Sequence, residues 1–223
     1  MKRFKKITLY IVGFFLFYLF IGYLFHWVIF PEPEVNISAF FQPGDTLYSH
    51  AEKIRLTVIK QEAGKVYCYL EAEAHAPGPP MHIHSGFDEV FKVDHGELSV
   101  MVNGKKRTLN AGEKYIIEKG MPHKPFNETN SSAFSTMTDE EALTEAFVVY
   151  LSQIYGYIDE SEDYMKPPKV LLQMAMFQQY FDSYLDEGPP VAIQKTVNFL
   201  IIPMARLLGY QSFYDKYDIR NRL

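Results

Sequence analysis

Three residues of this chain have the types and spacing to do chemistry together: His82, His84 and Glu89. The histidines stand two apart in Met81-His82-Ile83-His84. On an extended strand successive side chains alternate between faces, so both imidazoles point the same way. Ser85-Gly86-Phe87 reads as a short turn, after which Glu89 opens the next β-rich run and can bring its carboxylate to the same side. Imidazole and carboxylate ligands suit Fe(II), Mn(II), Ni(II), Cu(II) or Zn(II), so the expected cofactor is a divalent metal ion whose identity spacing alone does not settle.

These residues belong to a longer pattern. Gly78-Pro79-Pro80-Met81-His82-Ile83-His84 continues through Glu89 to Gly96, and a second segment runs from Gly112 through Gly120-Met121-Pro122-His123 to Asn127. Asn103-Gly104, a two-residue hairpin signal, lies between them. In these two segments, and in their order, the chain resembles the cupin family over residues 54 to 137. The resemblance implies an all-β jelly-roll barrel and adds His123, brought across the barrel from another hairpin, as a fourth metal ligand. Where the family usually carries a proline before the second glycine, this chain has Glu118, which alters a turn and removes no ligand. Three imidazoles and a carboxylate fill about four positions of a six-coordinate ion and leave room for water, substrate or dioxygen. The family includes dioxygenases, isomerases, decarboxylases and hydrolases, so the expected function is a mononuclear metalloenzyme, dioxygenase- or isomerase-like, acting on a small molecule. The alternative is a non-catalytic metal- or ligand-binding module presented at a membrane. No catalytic residue beyond the ligands is assigned.

Other candidates carry less. His50, His75 and His95 lie off the motif positions and read as surface or strand histidines. Phe87, Phe91, Tyr115, Ile117 and Phe126 stand near the ligands in sequence, either as an apolar pocket wall or as ordinary core. Glu71 and Glu73 alternate on a strand running up to the site; an outward-facing pair is expected over a general base. Cys68, the lone cysteine, sits in an alternating run and reads as a packed thiol. Asn36, Asn127 and Asn130 begin triplets of the N-glycosylation type, relevant only in a secretory pathway.

The elements that must hold these residues are β-strands. Runs rich in β-branched and aromatic residues occur at 54–60, 65–75, 88–94, 97–103, 105–109, 114–118 and 132–137. After them, Thr138 to Glu141 has capping-box spacing and predicts a helix from Ala142 to Tyr155. Pro167-Pro168 opens a second, with Val170, Met174, Phe177, Phe181 and Tyr184 at helical spacing, and a third runs from Val191 to Gly209. The third is expected to pack on the barrel or a second subunit, or else to lie on a membrane. Met165, Met174, Met176, Phe177 and Phe181 suggest a lid or a homodimer surface.

At the other end, Ile7 to Phe30 carries no formal charge and is long enough, at about 1.5 Å per helical residue, to cross a hydrocarbon layer of roughly 30 Å. Lys2, Arg3, Lys5 and Lys6 precede it and the next basic residue is Lys53, which predicts a single-pass signal anchor with a cytoplasmic N-terminus and an extracytoplasmic domain. The expected organisation is an anchor at 1–30, a spacer at 31–45, a cupin barrel at 46–138 and a helical extension at 139–223. With the four leading basic residues set aside, 18 of the 22 basic residues face 27 acidic ones, an excess that argues against nucleic acid as a partner. The expected partners are a metal ion, a small-molecule substrate and the membrane, with a homodimer as a further possibility.

Overall fold

The computed structural model describes residues 2–32, 34–160 and 166–221. Alternating apolar positions make the strands, and turn residues divide them. In chain order they are β1 (Thr46–Ser49), β2 (Ile54–Glu62), β3 (Lys65–Ala72), β4 (His82–Ile83), β5 (Glu89–Lys92), β6 (Glu97–Val102), β7 (Lys105–Asn110), β8 (Lys114–Ile117), β9 (His123–Phe126), β10 (Ala133–Thr136), β11 (Leu143–Thr144) and β12 (Tyr184–Leu185). The β6–β7 hairpin turns at Asn103 and Gly104, both at positive φ (48° and 75°), as its two-residue loop requires.

The strands form two antiparallel five-stranded sheets. One has the order β1-β2-β3-β10, with β11 also on β3; the other has the order β12-β4-β9-β6-β7. A two-stranded ribbon, β5 with β8, completes the set. Antiparallel sheets are thus present as a jelly roll requires, and hydrogen bonding among the described strands does not run continuously around the domain. Gly96 shows why a motif glycine is needed, because at φ +82° an added Cβ would lie 2.5 Å from the Ser132 carbonyl oxygen. The seven expected strand runs match β2, β3, β5, β6, β7, β8 and β10 to within a few residues.

The helices are α1 (Lys2–Leu24), which continues as a π-helical turn to Ile29, α2 (Glu145–Glu160), α3 (Lys169–Phe177) and α4 (Val191–Leu207). Three expectations change. Thr138 N–H does donate to Glu141 (2.8 Å), but this bond closes a turn; β11 intervenes, and the helix starts at Glu145 instead of Ala142. The second helix ends at Phe177, and Tyr184 enters β12, opposite Ile83 of β4. The end of the segment 31–45, expected as a spacer, joins the core. Phe40 and Phe41 are buried in the same core as Leu47, Leu56 and Val58, against Phe147 and Val148 of α2. Each such ring or aliphatic chain contributes about 1.5–3 kcal/mol on burial.

From Phe4 to Ile29 the first helix is long and apolar enough to cross a membrane by length and composition, and most of its side chains are exposed. Its last turns pack on α4, which also packs on α3 and reaches the sheet edge, Gln194 donating to the Leu185 carbonyl of β12 (2.8 Å). Arg206 fastens the junction: Nη2 donates to the Phe30 carbonyl (2.8 Å), Nη1 to the Tyr210 carbonyl (3.1 Å), and Nε lies 3.8 Å from Glu32. Of the methionines and phenylalanines read as a lid, Met176 and Phe177 are core, Met174 and Phe181 line a cavity, and Met165 lies outside the described residues.

Candidate metal centre

Strand pairing builds the centre. β4 lies beside β9 with His82 directly opposite His123, so two imidazoles from distant motifs meet on one face. His84 follows at the end of β4, and Glu89 enters from β5. The ring centroids of His82 and His123 are 4.4 Å apart, those of His82 and His84 4.8 Å, and those of His84 and His123 5.2 Å. One ligand atom from each of the four residues lies within 4.8 Å of all the others. The three histidines are buried.

The hydrogen bonds decide which nitrogens face inward. Nδ1 of His82 is 2.9 Å from the Pro80 carbonyl, Nδ1 of His123 is 2.9 Å from the Met121 carbonyl, and Nδ1 of His84 meets the Asp182 carbonyl. A carbonyl only accepts, so each Nδ1 carries the proton and each neutral ring turns an Nε2 lone pair toward the centre. Nε2 of His123 then stands 2.7 Å, and Nε2 of His84 3.4 Å, from the Glu89 carboxylate. Such a convergence of lone pairs around one carboxylate is stable only with a positive charge among them, either a proton or a metal ion. Burial by itself would raise the Glu89 carboxyl, but when a proton rather than a metal holds the centre, the hydrogen bonds that His123 and His84 donate from a protonated Nε2 outweigh it and hold the group well below the usual carboxylate range. Burial pushes His82 down to about 3, so its lone pair stays free at neutral pH. For His84 burial is again the largest influence and lowers the basicity, yet the bond to Glu89 and its charge carry the net shift upward. The donor set, the tautomers and the outer hydrogen bonds all fit a divalent metal ion.

Several supporting residues come from outside the motifs. Asp182, beyond α3, accepts from the backbone N–H groups of Ser85 (2.8 Å) and Gly86 (2.6 Å) and from the Ser85 hydroxyl (2.6 Å). This one residue thereby fixes both the turn after the second histidine and the tautomer of that histidine. Phe87 stacks on the His84 ring at 4.4 Å, and Phe147 of α2 meets it edge-on at 5.4 Å. No local signal marked Asp182, since its partners lie nearly a hundred residues away.

A cavity of about 480 Å³ adjoins the centre. His82, His84 and Glu89 line one end, and apolar side chains such as Leu56, Leu98, Phe147, Leu151 and Met174 form most of the wall. Glu52, in the turn between β1 and β2, and Tyr155 of α2 also line it, and both are buried. Burial first, and then the charge of Asp159, push the Glu52 carboxyl up to about 7, against the opposing pull of the Tyr155 hydrogen bond and of Lys124. Burial, and next the Glu52 charge, keep the Tyr155 phenol well above its ordinary range. Of the aromatic and apolar residues near the ligands, Phe91 lines the cavity and Ile117 is core. Tyr115 lies under the Arg107 guanidinium and Phe126 near the Lys124 ammonium, so neither forms the wall.

The remaining candidates do not join the site. Glu71 and Glu73 pair with Arg55 at 3.4 and 3.5 Å, as outward-facing carboxylates would. His50, His75 and His95 are exposed. Cys68 is fully buried, and burial pushes its thiol up to about 12, as for a packed thiol. Asn127 is buried, its amide donating to the carbonyls of Ala72, Glu73 and Ser131, so it is a structural post and no glycosylation acceptor.

Known proteins share this core. Residues 69–137, which include all four converging side chains, match the family model described as a cupin domain. The chain is 22% identical over 207 residues to a probable oxidoreductase, virH, of Hypocrea virens, an alignment covering 84% of this chain and 91% of the relative. It is 26% identical over 158 residues to the epoxidase atD of Aspergillus terreus, covering 66% of this chain and about half, 49%, of the relative. Among solved structures, a cupin-2 domain containing protein from Shewanella frigidimarina is 30% identical, with 35% of this chain and 74% of that chain covered and a TM-score of 0.31. The match of residues 69–137 to a cupin domain, the segment that carries all four converging side chains, supports a place in the cupin superfamily.

Proposed function

We propose that the protein is a membrane-anchored, metal-dependent oxidoreductase that acts on an apolar small molecule held in the cavity beside His82, His84, Glu89 and His123. The observation that carries this reading is the meeting of three Nε2 lone pairs and a carboxylate at the end of a largely apolar cavity. A divalent metal bound there supplies Lewis acidity and, if redox-active, electron transfer. The residues of the chain do the rest. The carbonyls of Pro80, Met121 and Asp182 hold the rings in orientation, and the apolar wall excludes water and favours an uncharged substrate. Glu52 titrates at about 7 and Tyr155 donates its phenol proton to that carboxyl, so below this pH the pair presents one neutral hydrogen-bond donor, the Glu52 O–H, to a bound molecule. The names of the two fungal relatives, an oxidoreductase and an epoxidase, support the reaction class.

The anchoring is part of the same reading: a single span at Phe4–Ile29, the N-terminus cytoplasmic and the cupin domain outside. The basic residues on the N-terminal side, with none between the span and Lys53, support that orientation.

Elemental analysis tests the proposal. The full chain, purified in a neutral detergent, is measured beside the double variant His82→Ala, His123→Ala. Near-stoichiometric metal in the wild type and none in the variant is the expected result, and the metal found then directs assays of oxygen consumption. A wild type that stays metal-free after incubation with each candidate ion refutes the metalloenzyme reading.

A further inference from the structure

Most exposed positions of α4 are apolar, Lys195 and Thr196 near its start being the polar ones. Ile193, Phe199, Met204, Leu207 and Leu208 are each between 44% and 60% exposed. Water is a poor solvent for such a face, and it needs a cover. Its position relative to α1 indicates which cover. The Tyr23 hydroxyl donates to the Phe199 carbonyl (2.7 Å) and the Tyr18 hydroxyl to the Leu200 carbonyl (3.0 Å). Rings of Tyr23 and Phe199 stack at 5.0 Å. Gly22 lies so close to Pro203 that an added Cβ would sit 2.3 Å from its Cβ. Arg206 reaches the carbonyl of Phe30. Residues 199–206 of α4 therefore lie along the stretch from Tyr18 to Phe30, about 18 Å of helix at ~1.5 Å per residue. A hydrocarbon layer is roughly 30 Å thick, so this stretch corresponds to about its outer half.

The cavity reaches the same region. Gln194, Val197 and Asn198 of α4 and Leu171 and Met174 of α3 line it, and Val197 (39%) and Leu171 (55%) are also exposed on the outside. Its wall is thus continuous with the apolar surface beside α1.

We propose that α4 lies in the outer hydrocarbon half of the membrane with α1, and that the cavity opens there between α3 and α4 to receive an uncharged, water-insoluble molecule dissolved in the lipid. The inference rests on the reading of α1 as a membrane span. It goes further in naming a second embedded element and a route by which substrate enters from lipid.

Fluorescence quenching in phosphatidylcholine vesicles tests it, because the chain has one tryptophan, Trp27, near the outer end of α1. The full-length wild type reports α1. The variant Trp27→Phe, Leu207→Trp reports the exposed face of α4, and Trp27→Phe, Leu151→Trp reports the cavity, with Trp27→Phe, Met174→Trp as its replacement should that protein misfold by circular dichroism. Lipids brominated on the acyl chains should quench emission at both Trp27 and Leu207→Trp more than aqueous iodide does. Dibromodecane dissolved in the vesicles should quench the cavity tryptophan, again more than iodide. Quenching of Trp27 by brominated lipid while Leu207→Trp responds to iodide alone overturns the placement of α4 and leaves the anchor standing. A cavity tryptophan reached by iodide and not by dibromodecane overturns the route. If Trp27 itself escapes brominated lipid, the anchor reading falls and the inference falls with it.

Discussion

Substituting Glu52 with glutamine should remove a pH dependence of stability that belongs to one buried carboxyl. Glu52 is 8% exposed, its backbone N–H held by the Ser49 hydroxyl (3.1 Å) and its carboxyl facing Tyr155, Asp159 and Lys124. Burial and the Asp159 charge raise it from 4.5 to about 7. Between these values the folded chain keeps a proton that the unfolded chain releases. Folding stability from this group is therefore fully present below pH 4.5 and is lost as the pH rises through 7. At about 1.4 kcal/mol per pKa unit the whole loss is about 3 kcal/mol, of which roughly 2–3 kcal/mol falls between pH 5 and pH 8. Glutamine is nearly isosteric, keeps an oxygen to accept from Tyr155, and does not titrate. Thermal unfolding in a neutral detergent, followed by circular dichroism at both pH values, should show the wild type losing roughly 4–12 °C more than Glu52→Gln on going from pH 5 to pH 8. Taking the difference between the two proteins cancels the other carboxylates. Parallel pH profiles would refute the reasoning, since they would mean that Glu52 is as well solvated in the fold as in the unfolded chain.

Three further outcomes follow from the geometry. Asp182→Ala removes the carboxylate that pins the Ser85–Gly86 turn, and should weaken metal affinity about 10-fold or more, read by chelator competition; unchanged affinity would assign the turn to its other contacts. In Gly156→Ala the new methyl would meet the Tyr217 ring at 2.5 Å, so the cost should be about 1–3 kcal/mol in urea unfolding, and a neutral result would show that the ring moves aside. A chain ending at Thr138 loses Phe147, Tyr155 and Phe177, which cover Leu47, Leu56 and Val58. It should aggregate in sedimentation experiments, whereas a monodisperse folded product would show that the sheets need no helical cover.

Much of the candidate site was legible because its signals are local. Two histidines at a spacing of two face one way on any strand, and the hairpin at Asn103-Gly104 follows from two residues able to take positive φ. The same holds for the apolar run that became α1 and for the strands, whose alternation is a property of the chain itself. Tertiary structure decided the rest. His123 lies opposite His82 only because β4 and β9 pair, a register that no short segment encodes. Residues 31–45 read as a spacer from their prolines and glycine, yet Phe40 and Phe41 had an apolar surface to bury against once α2 lay on the sheet. Tyr184 continued a helical period but took strand pairing at the edge of β4, where unpaired backbone groups awaited a partner. Asp182, Glu52 and Tyr155 owe their chemistry to surroundings assembled from distant parts of the chain. Residue type and spacing determine which way a side chain faces on its own element; burial, field and hydrogen-bond partners depend on what the folded chain brings opposite it.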